Sequence, residues 1–146
     1  QVGTEPAYAL QAVAAERFLR WFALSFYGRT AQPRPAPGYV APPLDAVWAT
    51  APYLHNESVP SLAALLDSSQ RPTYWRHELE PREYDTDALG WRHEVLEHGK
   101  EGAADPSEAR YIYDTTRHGH GNGGHTFGDA LDEAERRALL EYLKSL

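Results

Sequence analysis

The chain has 146 residues, enough for one modest hydrophobic core, and 42% of them are hydrophobic, with 11 prolines and 11 glycines among the rest. Its formal charge of −7 disfavours binding to a phosphate backbone, which needs clustered lysine and arginine. The absence of cysteine excludes disulfides, thiolate metal sites and thiol catalysis within this sequence. No apolar stretch approaches the roughly 20 residues that span a bilayer, so a soluble chain is expected. The first residue is Gln1 rather than methionine, which points to removal of a signal peptide or an upstream domain.

Residues 6–28 are the longest helical candidate, with Pro6 in the first turn and Gly28 as the stop. Leu10, Val13, Ala14, Leu19, Phe22 and Phe26 draw an apolar face that Trp21 and Tyr27 widen. Residues 32–43 form a proline-rich, extended and fairly stiff connector. The apolar run from Leu44 to Tyr53 follows, and then Ser58 as the cap of a helix with Pro60 in its first turn and Leu62, Leu65 and Leu66 facing inward.

From Arg71 to Gly124 the periodicity weakens, and Tyr74-Trp75, Tyr84, Trp91 and Tyr111-Ile112-Tyr113 read as short strands or as extended loops packed by aromatics. Glu97 to Glu108 reads as an exposed, mobile loop. The last helix is the best defined: Asp132 as N-cap, Glu135 completing a capping box, and Leu139, Leu140, Leu143 and Leu146 as the buried stripe. The sum is a mainly α, loop-rich single domain over residues 1–146, with few short strands at most.

The candidate metal ligands are histidines. His77, His93 and His98 read as solvated surface side chains. His118, His120 and His125 lie in the stretch RHGHGNGGHTFG, which admits two readings. One is a three-imidazole zinc or copper cluster. The other is a glycine-rich loop that brings a single histidine close to a large flat ligand, because glycine has no Cβ to clash with it. The capped helix seven residues after His125 would fix such a ring's direction.

Residues 39–66 (YVAPPLDAVWATAPYLHNESVPSLAALL) resemble a segment of the bacterial dihaem cytochrome c peroxidases and, more closely, of the rubber-oxygenase-like dihaem cytochromes. The most specific part is WATAPYLHN, Trp48 to Asn56. The segments VGTEPAYA, GNGGHTFG and ERRALLEYLKSL resemble the same family in the same order, so the likeness runs from Val2 to Leu146. It implies a cytochrome c-like fold, here the C-terminal haem-pocket portion of a c-type cytochrome. It also implies haem c attached through a Cys-x-x-Cys-His that this sequence lacks, and therefore a haem-bearing polypeptide, split or cleaved, as partner.

His125 matches the family position of the axial ligand, so the resemblance implies that it binds the haem iron as a neutral imidazole. The resemblance places His55 near the haem, at a propionate or an inter-domain contact, with Trp48 and Tyr53 as pocket walls and Asn56 among the cofactor-binding residues. Departures from the pattern are Val40 and Pro42 in place of Lys and Arg, and Ala46 and Glu57 in place of glycines, Glu57 in a loop expected to need positive φ. The functional expectation is a redox protein of peroxidase or oxygenase type in a periplasmic or secreted setting. The alternatives are a non-catalytic electron-transfer subunit, with a small redox protein as possible partner, and a haem-free, histidine-rich metal-binding or structural relative.

Overall fold

The computed structural model describes residues 2–34, 38–78 and 83–146. These fall into two compact units, one of residues 6–41 and one combining residues 1–5 with 42–146.

In the smaller unit the expected single helix is broken in two, α1 at Ala7–Ala14 and α2 at Glu16–Leu24. Ala15 between them has ψ 37°, outside the helical range, and offers no side-chain cap to either piece. Helix α2 stops before Gly28 because Ser25 turns to extended backbone, its N–H and Oγ both donating to the Phe22 carbonyl at 3.0 and 2.6 Å. The proline-rich connector lies partly outside the described residues. Its described part forms no helix or strand.

The larger unit corrects the fold class. It is mixed α/β and loop-rich rather than mainly α, because it holds two antiparallel sheets. Strand β1 (Tyr74–His77) is the centre of three, followed in the chain by β2 (Tyr84–Asp85), β3 (Gly90–Trp91), β4 (His93–Val95) and β5 (Ile112–Asp114). The order in the larger sheet is β4-β1-β5, and β2 pairs with β3. Register places Trp75 opposite Val95 and Tyr113, and His77 opposite His93. The aromatic and β-branched residues of these segments suit a pleated, half-buried surface, and an aromatic cross-strand pair holds it. Trp75 is 1% exposed, stacks on Tyr113 at 5.2 Å and donates its indole N–H to the Ser58 carbonyl at 3.3 Å. The strands are too short for a period-2 pattern to stand out in the sequence.

Helix α3 (Leu62–Leu66) starts later than expected, capped by Ser61, whose Oγ accepts from the Ala64 N–H at 3.2 Å. Ser58 is fully buried instead, because the chain there is still extended: Val59 bridges Tyr53 and Ser61 bridges Gly90. Gly90 has to be glycine, since a Cβ would stand 2.4 Å from the Pro60 carbonyl oxygen. The segment from Glu97 to Glu108 is largely exposed, as expected, yet it carries a 3-10 turn at Lys100–Gly102 and the short helix α4 (Pro106–Ala109), capped by Asp105.

Helix α5 (Glu133–Leu143) has the expected capping box in full, Asp132 accepting from the Glu135 N–H and Glu135 from the Asp132 N–H, both at 2.9 Å. Its leucine stripe closes the core of this unit: Leu143 joins Tyr53, Val59, Leu62, Ala64 and Leu89, with Leu139 and Leu140 packed alongside. Each large aliphatic side chain so buried contributes about 1.5–3 kcal/mol. Leu146, at 38% exposed, lies outside the stripe.

Candidate functional site

Three stretches of the larger unit meet at the glycine-rich loop of residues 119–125: the N-terminal residues Val2 to Glu5, the WATAPYLHN segment, and the stretch after α3. The Val2 carbonyl accepts from the His125 N–H at 2.8 Å. Gly124, at φ +74°, lies so close to the N-terminal segment that a Cβ would stand 2.2 Å from the Gly3 carbonyl carbon. Only glycine allows that crossing.

Asn56 binds the loop from the other side. Its Nδ2 donates to the carbonyls of Gly119 and Gly121 at 3.1 and 2.9 Å, and its own carbonyl accepts from the Tyr113 hydroxyl. Asn56 Oδ1 is buried with no hydrogen-bond partner among the described residues. The site residue Asn56 is thus committed through its amide nitrogen to shaping the loop.

His125 has φ 51°, in the left-handed region that histidine tolerates better than most side chains. Its ring is half-exposed and meets Phe127 edge-on at 5.3 Å. Neither ring nitrogen has a hydrogen-bond partner among the described residues, while the backbone is held at both ends. The N–H is bound by Val2 and the carbonyl accepts from Arg71 at 3.1 Å. An imidazole on a fixed backbone with free nitrogens can ligate a metal or accept a proton.

His55 is exposed beside Glu5. Partial desolvation lowers its pKa, against a smaller upward pull from the Glu5 carboxylate and backbone. Tyr53 is 6% exposed within the core, and its hydroxyl lies 3.0, 3.4 and 3.2 Å from the carbonyls of Val47, Trp48 and Leu89. Burial raises its pKa, with the hydrogen bond to Tyr84 as a lesser cause, so the phenol stays protonated. Trp48 is 38% exposed, and its carbonyl also accepts from the Tyr84 hydroxyl. The structure therefore brings Trp48, Tyr53 and Tyr84 together behind the segment that ends in His55 and Asn56.

The three-imidazole cluster does not form. Among the described residues no group of three or more His, Cys, Asp or Glu side chains is placed to hold a metal ion. His120 turns its Nδ1 to the His118 carbonyl at 3.1 Å and packs against Tyr113, while His118 points into solvent. His77 also departs from its expected solvated state. It is half-buried on β1, edge-on to Trp75 at 5.0 Å, and burial lowers its pKa, helped by His93.

Arg71 is the site residue that sequence reasoning missed. Its guanidinium reaches the carbonyls of Ala64 and Leu65 at the end of α3 and those of Asn122, Gly124 and His125 in the loop. The Arg-Pro dipeptide does signal extended backbone at Arg71, as found at ψ 119°. Partners more than 50 residues away leave no local signal.

A family model described as RoxA-like, cytochrome c-like matches residues 38–76. Two relatives come from Sinorhizobium fredii (strain NBRC 101917 / NGR234). The uncharacterized protein y4iJ is 41% identical over 119 residues, covering 74% of this chain and 18% of its own length. The uncharacterized protein y4iM is 39% identical over 132 residues, covering 80% of this chain and 29% of its own. The chain thus spans less than a third of the length of these relatives. The segment holding Trp48, Tyr53, His55, Asn56 and Arg71 is related to cytochrome c-like domains.

Proposed function

We propose that this chain forms the distal side of a haem pocket in a cytochrome c-like redox protein, with His125 as the residue that gives its imidazole to the iron. The observation that carries this reading is the state of His125: a half-exposed ring with no described partner on either nitrogen, on a backbone pinned at its N–H and its carbonyl. The cytochrome c-like match over residues 38–76 supports it. His125 fits the group as a ligand through its unpartnered ring nitrogens, and the sequence supplies no covalent anchor, because it has no cysteine. Anchorage then falls to a polypeptide segment with Cys-x-x-Cys-His, for which the unaligned bulk of the two relatives leaves room.

A c-type haem, when bound, supplies the redox-active iron. The chain's residues hold and shield. His125 would supply the ligand, and Phe127 packs edge-on against its ring. Asn56 shapes the glycine loop through Gly119 and Gly121. Tyr53, its hydroxyl committed to backbone carbonyls, backs the wall that Trp48 presents. His55, beside Glu5, is the residue we assign to a haem propionate or to a neighbouring domain. Peroxidase or oxygenase chemistry in an oxidising extracytoplasmic compartment is the setting we propose for this pocket.

The test is the optical and electron paramagnetic resonance spectrum of the haem-loaded, full-length protein. Low-spin ferric haem is expected, and His125→Ala should turn it high-spin and open to added imidazole. His118→Ala and His120→Ala should leave the spectrum unchanged. A low-spin spectrum that survives His125→Ala refutes the assignment, and His55 becomes the residue to replace.

A further inference from the structure

We infer that Arg71 is the positioning residue for His125, the group that fixes the backbone from which its imidazole projects. The functional meaning of this inference rests on the ligand role proposed above, while its structural content does not. A guanidinium has five N–H donors in a rigid planar fork, and here each finds its own carbonyl. Nε donates to Ala64 at 3.1 Å, Nη1 to Asn122 and Gly124 at 2.8 and 2.7 Å, and Nη2 to Leu65 and His125 at 3.0 and 3.1 Å. Two of these acceptors belong to the last turn of α3, where helix carbonyls lack intrahelical partners. The other three, Asn122, Gly124 and His125, lie within the four-residue stretch that ends at His125.

One cation thus bolts the glycine loop to the end of a packed helix. Charged donors make these bonds stronger than neutral ones. The arrangement matters because no hydrogen bond fixes the imidazole itself: neither ring nitrogen has a partner among the described residues, and Phe127 meets the ring only edge-on at 5.3 Å. Gly123 and Gly124, just ahead of His125, leave the loop backbone few intrinsic restraints. The direction in which the Cα–Cβ bond of His125 projects follows from its backbone, and that backbone is held by Val2 at the N–H and Arg71 at the carbonyl. A second bolt secures the chain just beyond. Asp129 accepts from the N–H and Oγ of Ser68 at 2.8 and 2.6 Å, so the loop is fastened on both sides of His125 to the residues after α3.

The experiment compares Arg71→Gln, Arg71→Lys and His125→Ala in the full-length, haem-loaded protein, with two readouts. The first is amide hydrogen exchange at Gly124 and His125, referenced to Leu143 in α5. Both Arg71 variants should speed exchange at His125 roughly tenfold or more while Leu143 stays as in the wild type. Lysine keeps the charge and the aliphatic stem, which guards the fold, but its single ammonium cannot serve five carbonyls in one plane, so it should not restore the loop. The second readout is titration with imidazole, which should displace the protein ligand at roughly tenfold lower concentration in both Arg71 variants. Wild-type exchange at His125, full restoration by lysine, or equal acceleration at His125 and Leu143 would overturn the inference, the last by making Arg71 a general stabiliser. If His125→Ala leaves the low-spin spectrum intact, the ligand reading fails by itself, and the exchange data still decide whether Arg71 positions the loop.

Discussion

Two residues that stand where the resembled pattern has glycine adopt backbone that favours glycine. Ala46 has φ 55° and Glu57 φ 60°, both left-handed, and each precedes an ordered stretch, Ala46 the turn holding Trp48 and Glu57 the buried Ser58-Val59 extension. A Cβ in this region costs roughly 1–2 kcal/mol, offset in part by the extra freedom glycine brings to the unfolded chain. Ala46→Gly and Glu57→Gly should therefore each raise stability by about 0.5–1 kcal/mol, read as a higher midpoint in urea denaturation with unchanged slope. A fall in midpoint at Ala46→Gly would mean that its methyl makes contacts worth more than the strain. The same reasoning separates these positions from His125 at φ 51°, where the proposed ligand role requires a side chain.

Helix α5 shows what an element draws from its own sequence. Its capping box and leucine stripe lie within a dozen residues, and both appear in the structure, the stripe through Leu139, Leu140 and Leu143 but without Leu146. Asp132→Ala removes the side chain that accepts from the Glu135 N–H and should cost about 1 kcal/mol by urea denaturation. Because Leu143 and its neighbours hold the helix in the core, the helical content of the folded state should stay as it is. Loss of helical signal before global unfolding would show that the cap, not the core contact, secures α5. Helix α3 is the contrast. Both Ser58 and Ser61 are chemically competent caps, and the choice of Ser61 follows from the bridges of Val59 to Tyr53 and of Ser61 to Gly90, which keep the preceding backbone extended.

As a whole, the molecule presents an acidic chain in two compact units, one of which carries aromatic side chains in the open. On and just after α2, Phe18 is 53% exposed, Trp21 63%, Leu24 87%, Phe26 73% and Tyr27 65%. An apolar surface of this kind marks an interaction site. The haem-bearing polypeptide proposed above is its expected occupant. The isolated chain should therefore bind a hydrophobic dye and self-associate in light scattering, and both signals should fall when the cysteine-bearing segment is supplied on the same chain or as a partner. A monodisperse monomer that ignores the dye would remove the basis for that surface as an interface.

Much of the candidate site was legible by type and little by arrangement. Glycines flanking a histidine, a short specific segment with Trp48, Tyr53, His55 and Asn56, and a capped terminal helix are local facts, and local chemistry such as capping, turn preference and the lack of cysteine follows from them directly. Tyr74-Trp75, Tyr84, Trp91 and Ile112-Tyr113 were legible as short strands or extended loops, but not the sheets they build, because β4, β1 and β5 are strands of three or four residues whose pairing depends on partners far along the chain. Nor was the choice between a three-histidine cluster and a single presented imidazole settled by spacing. Only the packed structure separates His118 and His120 from His125, and only it brings Arg71 to five carbonyls from two distant segments. Hydrogen bonds of that kind form after chain closure has brought their partners together, so the residues that make them look, in the sequence, like any other exposed charge.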